Sequence, residues 1–426
     1  MILATMRMAL GAFVLAFIAL EGFAQGPAGV KPTTKKNSVR PDANGPTPIK
    51  TLVREYKSKN FLLHTDLSSK EVTELLNRLE TMLRLISRYY GKPNLQPIEI
   101  NVVQDLKNWS EGSIPIEVIS KIERREGITL SATRGERNGL GQIRITAAKS
   151  IVWAVADRGT PQHEAVHAYC HQAFGRTGPT WYAEGMAELG QYWRENDESV
   201  QIHEGVLHYL QSEKPKRVTE ITASGQSTGD GWQNYAWRWA LCHLLAVNRN
   251  YRDRFKPLGL ALLNDQPTSF LDVYGSMTQE INFEFEFFLK HLCQGYRVDL
   301  CGWDWKTKFN RLRGSNTAHV KIEAGRGWQA SRIAVRTGDR ISFTAVGEWT
   351  LAKEGKKLSA AGDSTGLGKL DAILLDDYVL SKPFEWGESG EFISPSEGHL
   401  YLRCHDDWSS ISDNSGAVNV TLQMMN

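Results

Sequence analysis

His163-Glu164-Ala165-Val166-His167 is the stretch of this chain whose residue types and spacing can do chemistry. On a helix, residues four apart share a face, so both imidazoles point at one metal ion and Glu164 projects beside them. Two histidines leave a tetrahedral zinc short of ligands, and a catalytic site takes one more protein ligand plus water. Glu184 is the natural third, with sixteen residues between it and His167. That gap lets the chain leave the first helix at Gly175, turn through Pro179 and start a second helix facing it. Glu164 is then placed to take a proton from a water as it attacks a carbonyl carbon.

Two residues compete for the third position. Glu188 stands one turn beyond Glu184 and is either the ligand itself or an outer support for one. His171 shares the histidine face, but eight residues of helix is about 12 Å of rise from His163, too far for both rings to meet one ion. It reads as a packed histidine. The longer H-E-x-x-H-x-x-G-x-x-H pattern is absent, because Cys170 and Ala173 occupy its Gly and final His positions. Thr160 reads as the N-cap of the first helix, with Pro161 in its first turn and Gly175 as its stop.

His163-Glu164-x-x-His167 followed by Trp181-x-x-Glu184-Gly185-x-Ala187 resembles the gluzincin peptidases, most closely the MA-like group of bacterial secreted proteins. The resemblance covers about residues 51–295. It implies zinc held by His163, His167 and Glu184, with Glu164 as general base. In gluzincins a downstream tyrosine stabilises the oxyanion, and Tyr235, in Gln233-Asn234-Tyr235-Ala236-Trp237, is the matching candidate. An aromatic packed in a helix core is the alternative reading of Tyr235.

The N-terminus reads as a secretory signal: Arg7 is followed by an apolar run from Met8 to Leu20, and Gly22-Phe23-Ala24 offers cleavage after Ala24. The run is short for a bilayer span, and an uncleaved anchor is the alternative. The expected location is secreted, periplasmic or cell-surface, and no further segment is apolar enough to cross a membrane. Residues 25–50 carry five prolines and read as a flexible linker. Fifty Lys and Arg against 48 Asp and Glu give no electrostatic case for nucleic acid. Five cysteines are an odd number for an exported chain, so at least one is unpaired within it; Cys293 and Cys301 flank a short loop and are one possible pair.

The elements that must position the site follow from patterning. Phe61 to Thr65, Ile98 to Val103 and Gln142 to Thr146 read as strands, and Ser68-x-x-Glu71 is a capping box opening a helix that Gly91 and Pro93 stop. A strand shortly before the zinc helix is where zincins place the edge that holds an extended substrate. Residues 234–293 read as mainly helical. From Gly327 the chain becomes turn-rich, with strands at Ile341 to Val346, Leu370 to Leu375, Val379 onward, His399 to Cys404 and Ala417 to Gln423. The expected fold class is α+β: a zincin-like metallopeptidase domain of mixed sheet and helices over 51–305, then an all-β jelly roll or sandwich over 320–426.

Near the end, Asp406, Asp413 and Asn414 crowd oxygen donors onto one loop, which suits calcium; a solvated Asx-rich turn is the alternative. The Gly338-Asp339 turn, Gly347-Glu348-Trp349 and the run from Leu400 to Val420 resemble the PA-I type galactophilic calcium lectins. There an Asp, two consecutive Asn and backbone carbonyls hold calcium, and sugar hydroxyls complete the shell. Asp406 and Asn414 match and Asp413 replaces an Asn, while the stretch from Glu354 to Gly368 departs in length and residues, so galactose specificity does not carry over. Together these features lead to an exported zinc peptidase acting on protein or peptide, with an appended domain that targets it, carbohydrate being the candidate partner. The rival is a non-catalytic glycan-binding protein built on a structural zinc fold.

Overall fold

A computed structural model describes residues 16–20, 53–137, 143–223, 231–314 and 316–425. Most of the predicted leader and the whole linker at 25–50 lie outside these. The strands run β1 (Ala16–Leu20), β2 (Arg54–Lys57), β3 (Phe61–Thr65), β4 (Ile98–Val103), β5 (Gly127–Arg137), β6 (Ile143–Val155), β7 (Thr317–Glu323), β8 (Gln329–Val335), β9 (Arg340–Thr350), β10 (Leu370–Asp376), β11 (Val379–Leu380), β12 (Phe384–Glu385), β13 (Ser389–Ile393), β14 (Gly398–Cys404) and β15 (Ser415–Met424). The α-helices are α1 (Ser69–Tyr90), α2 (Ile116–Glu123), α3 (Thr160–Phe174), α4 (Thr180–Tyr192), α5 (Glu204–Ser212), α6 (Val218–Ile221), α7 (Trp232–Val247), α8 (Arg252–Leu263), α9 (Phe270–Tyr274), α10 (Thr278–Lys290) and α11 (Val298–Cys301). The protein is thus α+β with a β-rich C-terminal region. No described helix is long and apolar enough to cross a membrane.

The chain divides into two compact units whose segments interleave. One holds the residues up to Glu195 with Thr222–Trp239 and Leu258–Thr268; the other holds Asn196–Ile221, Ala240–Pro257 and everything from Ser269.

The first unit is built on a six-stranded sheet ordered β1-β5-β6-β4-β3-β2, with β3, β4 and β6 parallel and the rest antiparallel to their neighbours. The capping box is realised: Ser68 accepts from the Glu71 amide, Glu71 reaches back to Ser68, and Gly91 closes α1 in the left-handed region. Alternation along β6 turns Trp153 and Val155 to a cluster with Val118 and Ile122 of α2. Ser150, on the opposite face, meets α3 through His171. Strand β5 has no forerunner in the sequence reading, and β6 runs on to Val155, well past the predicted Thr146. The strand that precedes α3 is not an edge, because β5 folds back antiparallel on β6 and takes its outer side. Within the predicted leader, Ala16–Leu20 pairs in turn with β5.

In the second unit, a four-stranded sheet (β13-β9-β15-β7) and a five-stranded sheet (β11-β10-β14-β8, with β12 on β10) are both antiparallel. Ile341, Phe343, Val418 and Val420 of one sheet and Leu370, Leu374, Leu400 and Leu402 of the other share one buried core. The strands predicted from Ile341 onward all appear. The outer face of the five-stranded sheet is apolar as well, and Phe283 and Phe287 of α10 pack with Trp303 against Trp328, Ile373 and Tyr401. The buried Glu284 carboxylate pins this layer, accepting from Asn248 Nδ2 at 2.6 Å, Asn250 Nδ2 at 2.9 Å, Tyr251 Oη at 2.8 Å and Trp305 Nε1 at 2.6 Å. All five cysteines, including Cys293 and Cys301, are free thiols.

Candidate metal centre

Helix α3 is buried on every side from Thr160 to His171, which is why its sequence shows no amphipathic stripe. Its first turn is held by Asp157, whose Oδ1 accepts from the amides of Gly159 (2.9 Å) and Thr160 (2.7 Å) while Oδ2 accepts from Thr160 Oγ1 (2.8 Å). The predicted N-cap, Thr160, is instead the first helical residue, with its hydroxyl turned back to Asp157. The longer reach of a carboxylate satisfies two amides that a single threonine oxygen at the cap leaves open. Gly175 ends the helix at φ 81°, as its position suggested. Helix α4 crosses close above: a Cβ on Gly190 would overlap Val166, so glycine permits the approach that brings Glu184 to the histidines.

Three buried ligand atoms converge there. His163 Nε2 and His167 Nε2 are 3.1 Å apart, and Glu184 Oε2 lies 3.3 Å from the first and 3.4 Å from the second. A tetrahedral ion with bonds of about 2.0–2.1 Å has ligand–ligand edges of about 3.3 Å, so the triangle fits one face of a zinc tetrahedron. Two imidazole nitrogens and a carboxylate oxygen brought together out of water are a zinc-type donor set, and Glu184 Oε2 is buried without an aligned hydrogen bond. His163, His167 and Glu184 therefore form a cluster able to hold a metal ion.

Glu188 does not join that triangle. Its Oε1 lies 3.1 Å from Nδ1 of His163, the ring nitrogen on the far side from the cluster, in an approach short enough for an ion pair but off-line for a straight N–H···O bond. It also accepts from Gln191 Nε2. Its place is to orient His163. Burial by itself would lower the pKa of His163, but the close Glu184 and Glu188 carboxylates outweigh it and raise the value well above that of an ordinary histidine. Burial would likewise raise Glu184, yet the His167 charge and the contacts to both rings pull it down to about 2. Glu164, fully buried, is raised above the usual carboxylate range by desolvation.

His171 is buried, with Nδ1 3.3 Å from Ser150 Oγ, and burial drops its pKa to about 4, as a packed histidine requires. The ring of Tyr235 is buried beside His163, centroids 6.0 Å apart, with the Arg238 guanidinium 5.4 Å from the Tyr235 ring centroid. In the C-terminal loop Asp406 is buried: Oδ1 accepts from the Asp407 amide at 2.8 Å and Oδ2 has no partner. Asn414 donates to Ala324 O at 3.4 Å while its Oδ1 is buried and unpartnered. Asp413, in contrast, is exposed.

Sequence reading missed Asp157, Gly127 and Thr129. Only Asp157 carried a local signal, an acidic residue three before Thr160 at a helix start. Thr129 and Gly127 reach the site from β5, through tertiary contact alone.

No protein-family model matches this chain, and no curated protein matches it. Among solved structures, one similar chain is the N-terminal domain of EclA, described as a PllA-like lectin, at 19% identity over 25% of this chain and 96% of that one, with a TM-score of 0.21. That likeness is too slight to assign a fold or an activity.

Proposed function

We propose that this chain is an exported zinc-dependent peptidase of zincin-like fold. The observation that carries the reading is the triangle of His163 Nε2, His167 Nε2 and Glu184 Oε2 with edges of 3.1, 3.3 and 3.4 Å, next to the buried Glu164 carboxylate. His163, His167 and Glu184 would hold a zinc ion, which would supply Lewis acidity toward a peptide carbonyl and a water. Glu164 takes the water's proton at its carboxylate and passes it to the leaving amine. Glu188 fixes the ring of His163, and Tyr235 beside it donates to the oxygen that gains charge. Cleavage of the leader after Ala24 removes β1 and opens the outer side of β5 to an extended peptide, whose backbone pairing gives affinity with little sequence preference.

The test is metal content by plasma mass spectrometry together with hydrolysis of an unstructured protein such as denatured casein. The expected result is about one zinc per chain, and a Glu164→Gln variant that keeps zinc and loses hydrolysis. An active Glu164→Gln protein refutes the mechanism.

A second reading concerns the sandwich, which we propose as a calcium-dependent carbohydrate-binding module that targets the peptidase. Its support is that Asp406 Oδ2 and Asn414 Oδ1 are each buried without a hydrogen-bond partner, an unfavourable state for an oxygen that ligation of a hard cation would relieve. A glycan array with and without calcium tests it. Strong calcium-dependent binding with no hydrolysis by the wild-type chain would favour the non-catalytic alternative for the whole protein.

A further inference from the structure

We infer that Thr129 is the positioning residue that aims Glu164, and that the absence of a side chain at Gly127 is what admits the carboxylate to its place. This rests on the peptidase reading of the site. Thr129 Oγ1 lies 2.7 Å from Glu164 Oε2 and 3.0 Å from the Glu164 backbone oxygen. One hydroxyl has one proton to give, and the shorter contact to a carboxylate takes it, because bonds to a charged acceptor are the stronger. The other carboxylate oxygen, Oε1, is buried and has no partner. The two oxygens are thereby made unequal: Oε2 is tied to the strand, and Oε1 is left to accept a proton.

The tie is rigid. Thr129 is fully buried and pairs with Val152 inside the β5–β6 ladder, and a β-branched side chain has few rotamers to move between. Gly127, two residues earlier, projects to the same face of β5. A Cβ there would stand 2.5 Å from Glu164 Cγ, 2.8 Å from Oε1 and 2.8 Å from Thr160 Cγ2. Any larger residue must push the carboxylate off its rotamer or the helix off the strand. Strand β5 therefore offers Glu164 a socket made of a gap and a hydroxyl, and neither belongs to the metal ligand set. A carboxylate on an unbranched, flexible stem needs such fixing if it is to meet a water held at a defined point.

The experiment compares the wild-type full chain with Thr129→Val, Thr129→Ser, Gly127→Ala and Glu164→Gln. Zinc per chain, acetohydroxamate affinity by calorimetry, and kcat and KM on denatured casein are measured on each. Acetohydroxamate is chosen because its hydroxyl proton must be accepted beside the metal, so it senses the carboxylate without turnover. Thr129→Val, which keeps the shape and loses the donor, is expected to hold a full zinc. Its kcat should fall about 10- to 100-fold with KM little changed, and its acetohydroxamate affinity by a similar factor. Thr129→Ser should recover most of both, and Gly127→Ala should behave like Thr129→Val. If Thr129→Val does not fold, Thr129→Ala takes its place with the same expectations. Wild-type kcat and acetohydroxamate affinity in the variant lacking the hydroxyl would overturn the inference, as would loss of zinc in step with activity, which would make Thr129 a mere support for α3. If the wild-type chain binds zinc and acetohydroxamate but hydrolyses nothing, the peptidase reading falls, while the acetohydroxamate comparison still decides the role of Thr129.

Discussion

Replacing Glu184 by alanine should separate the metal ligand from its neighbour one turn on. Glu184 Oε2 touches Nε2 of both histidines, at 3.3 and 3.4 Å, whereas Glu188 meets only Nδ1 of His163. The two nitrogens of an imidazole point away from each other, so one ion can be served from the Glu184 side alone. A four-ligand zinc site is worth about 10–16 kcal/mol at neutral pH, or about 2.5–4 kcal/mol per ligand if shared evenly. Loss of Glu184 should thus weaken zinc binding about 10²- to 10³-fold. Loss of Glu188 removes only the orientation of one ring and should cost about 10- to 100-fold. Competition with a zinc-responsive chelator on metal-stripped protein reads both constants, and circular dichroism checks that each variant is folded. The reasoning is refuted if Glu188→Ala loses more affinity than Glu184→Ala, or if Glu184→Ala binds zinc as the wild type does.

Other outcomes follow from particular contacts. A Cβ at Gly259 would overlap the hydroxyl of Tyr182, which is hydrogen-bonded to Tyr90 at 2.7 Å inside the first unit. Gly259→Ala should therefore destabilise by about 2–4 kcal/mol in urea unfolding despite alanine's better helix propensity, and a loss below about 0.5 kcal/mol would contradict the packing. Burial lowers both His171 and His243 to about 4. The unfolded chain then binds more protons than the native one between the ordinary histidine value and that point. Stability is complete above about pH 6.5 and falls as pH drops towards 4, by roughly 2 kcal/mol per histidine at pH 5. His171→Gln should flatten the pH 7 to pH 5 difference in urea unfolding accordingly. Calcium at about 10 mM, well above the 10⁻⁴–10⁻³ M dissociation constants of extracellular modules, should raise the melting temperature where magnesium does not, and Asp406→Ala should abolish the rise. No shift would leave the loop as a solvated Asx-rich turn.

Whatever depends on local period and local caps is legible along the chain. The i, i+4 phase of His163 and His167, the box at Ser68 and Glu71, the glycine stops at Gly91 and Gly175, and the strands from Ile341 onward were all readable, because each is set within a few residues. Glu184 was legible for a related reason: one short turn between two helices leaves few residues able to face the histidines. The rest comes from contacts between segments far apart in the chain. Which nitrogen of His163 faces the cluster is fixed by where Glu188 packs, and the fully buried surroundings that shift Glu164 and Glu184 arise from helices and strands brought together from afar. Thr129 and Gly127 lie 35 and 37 residues before Glu164, on a strand with no clear pattern of its own, since β5 is specified by its pairing with β6. The interleaving of the two units is likewise invisible along the chain: helical segments between Asn196 and Lys290 are apportioned by which core buries their apolar faces, and periodicity states only that a face is apolar.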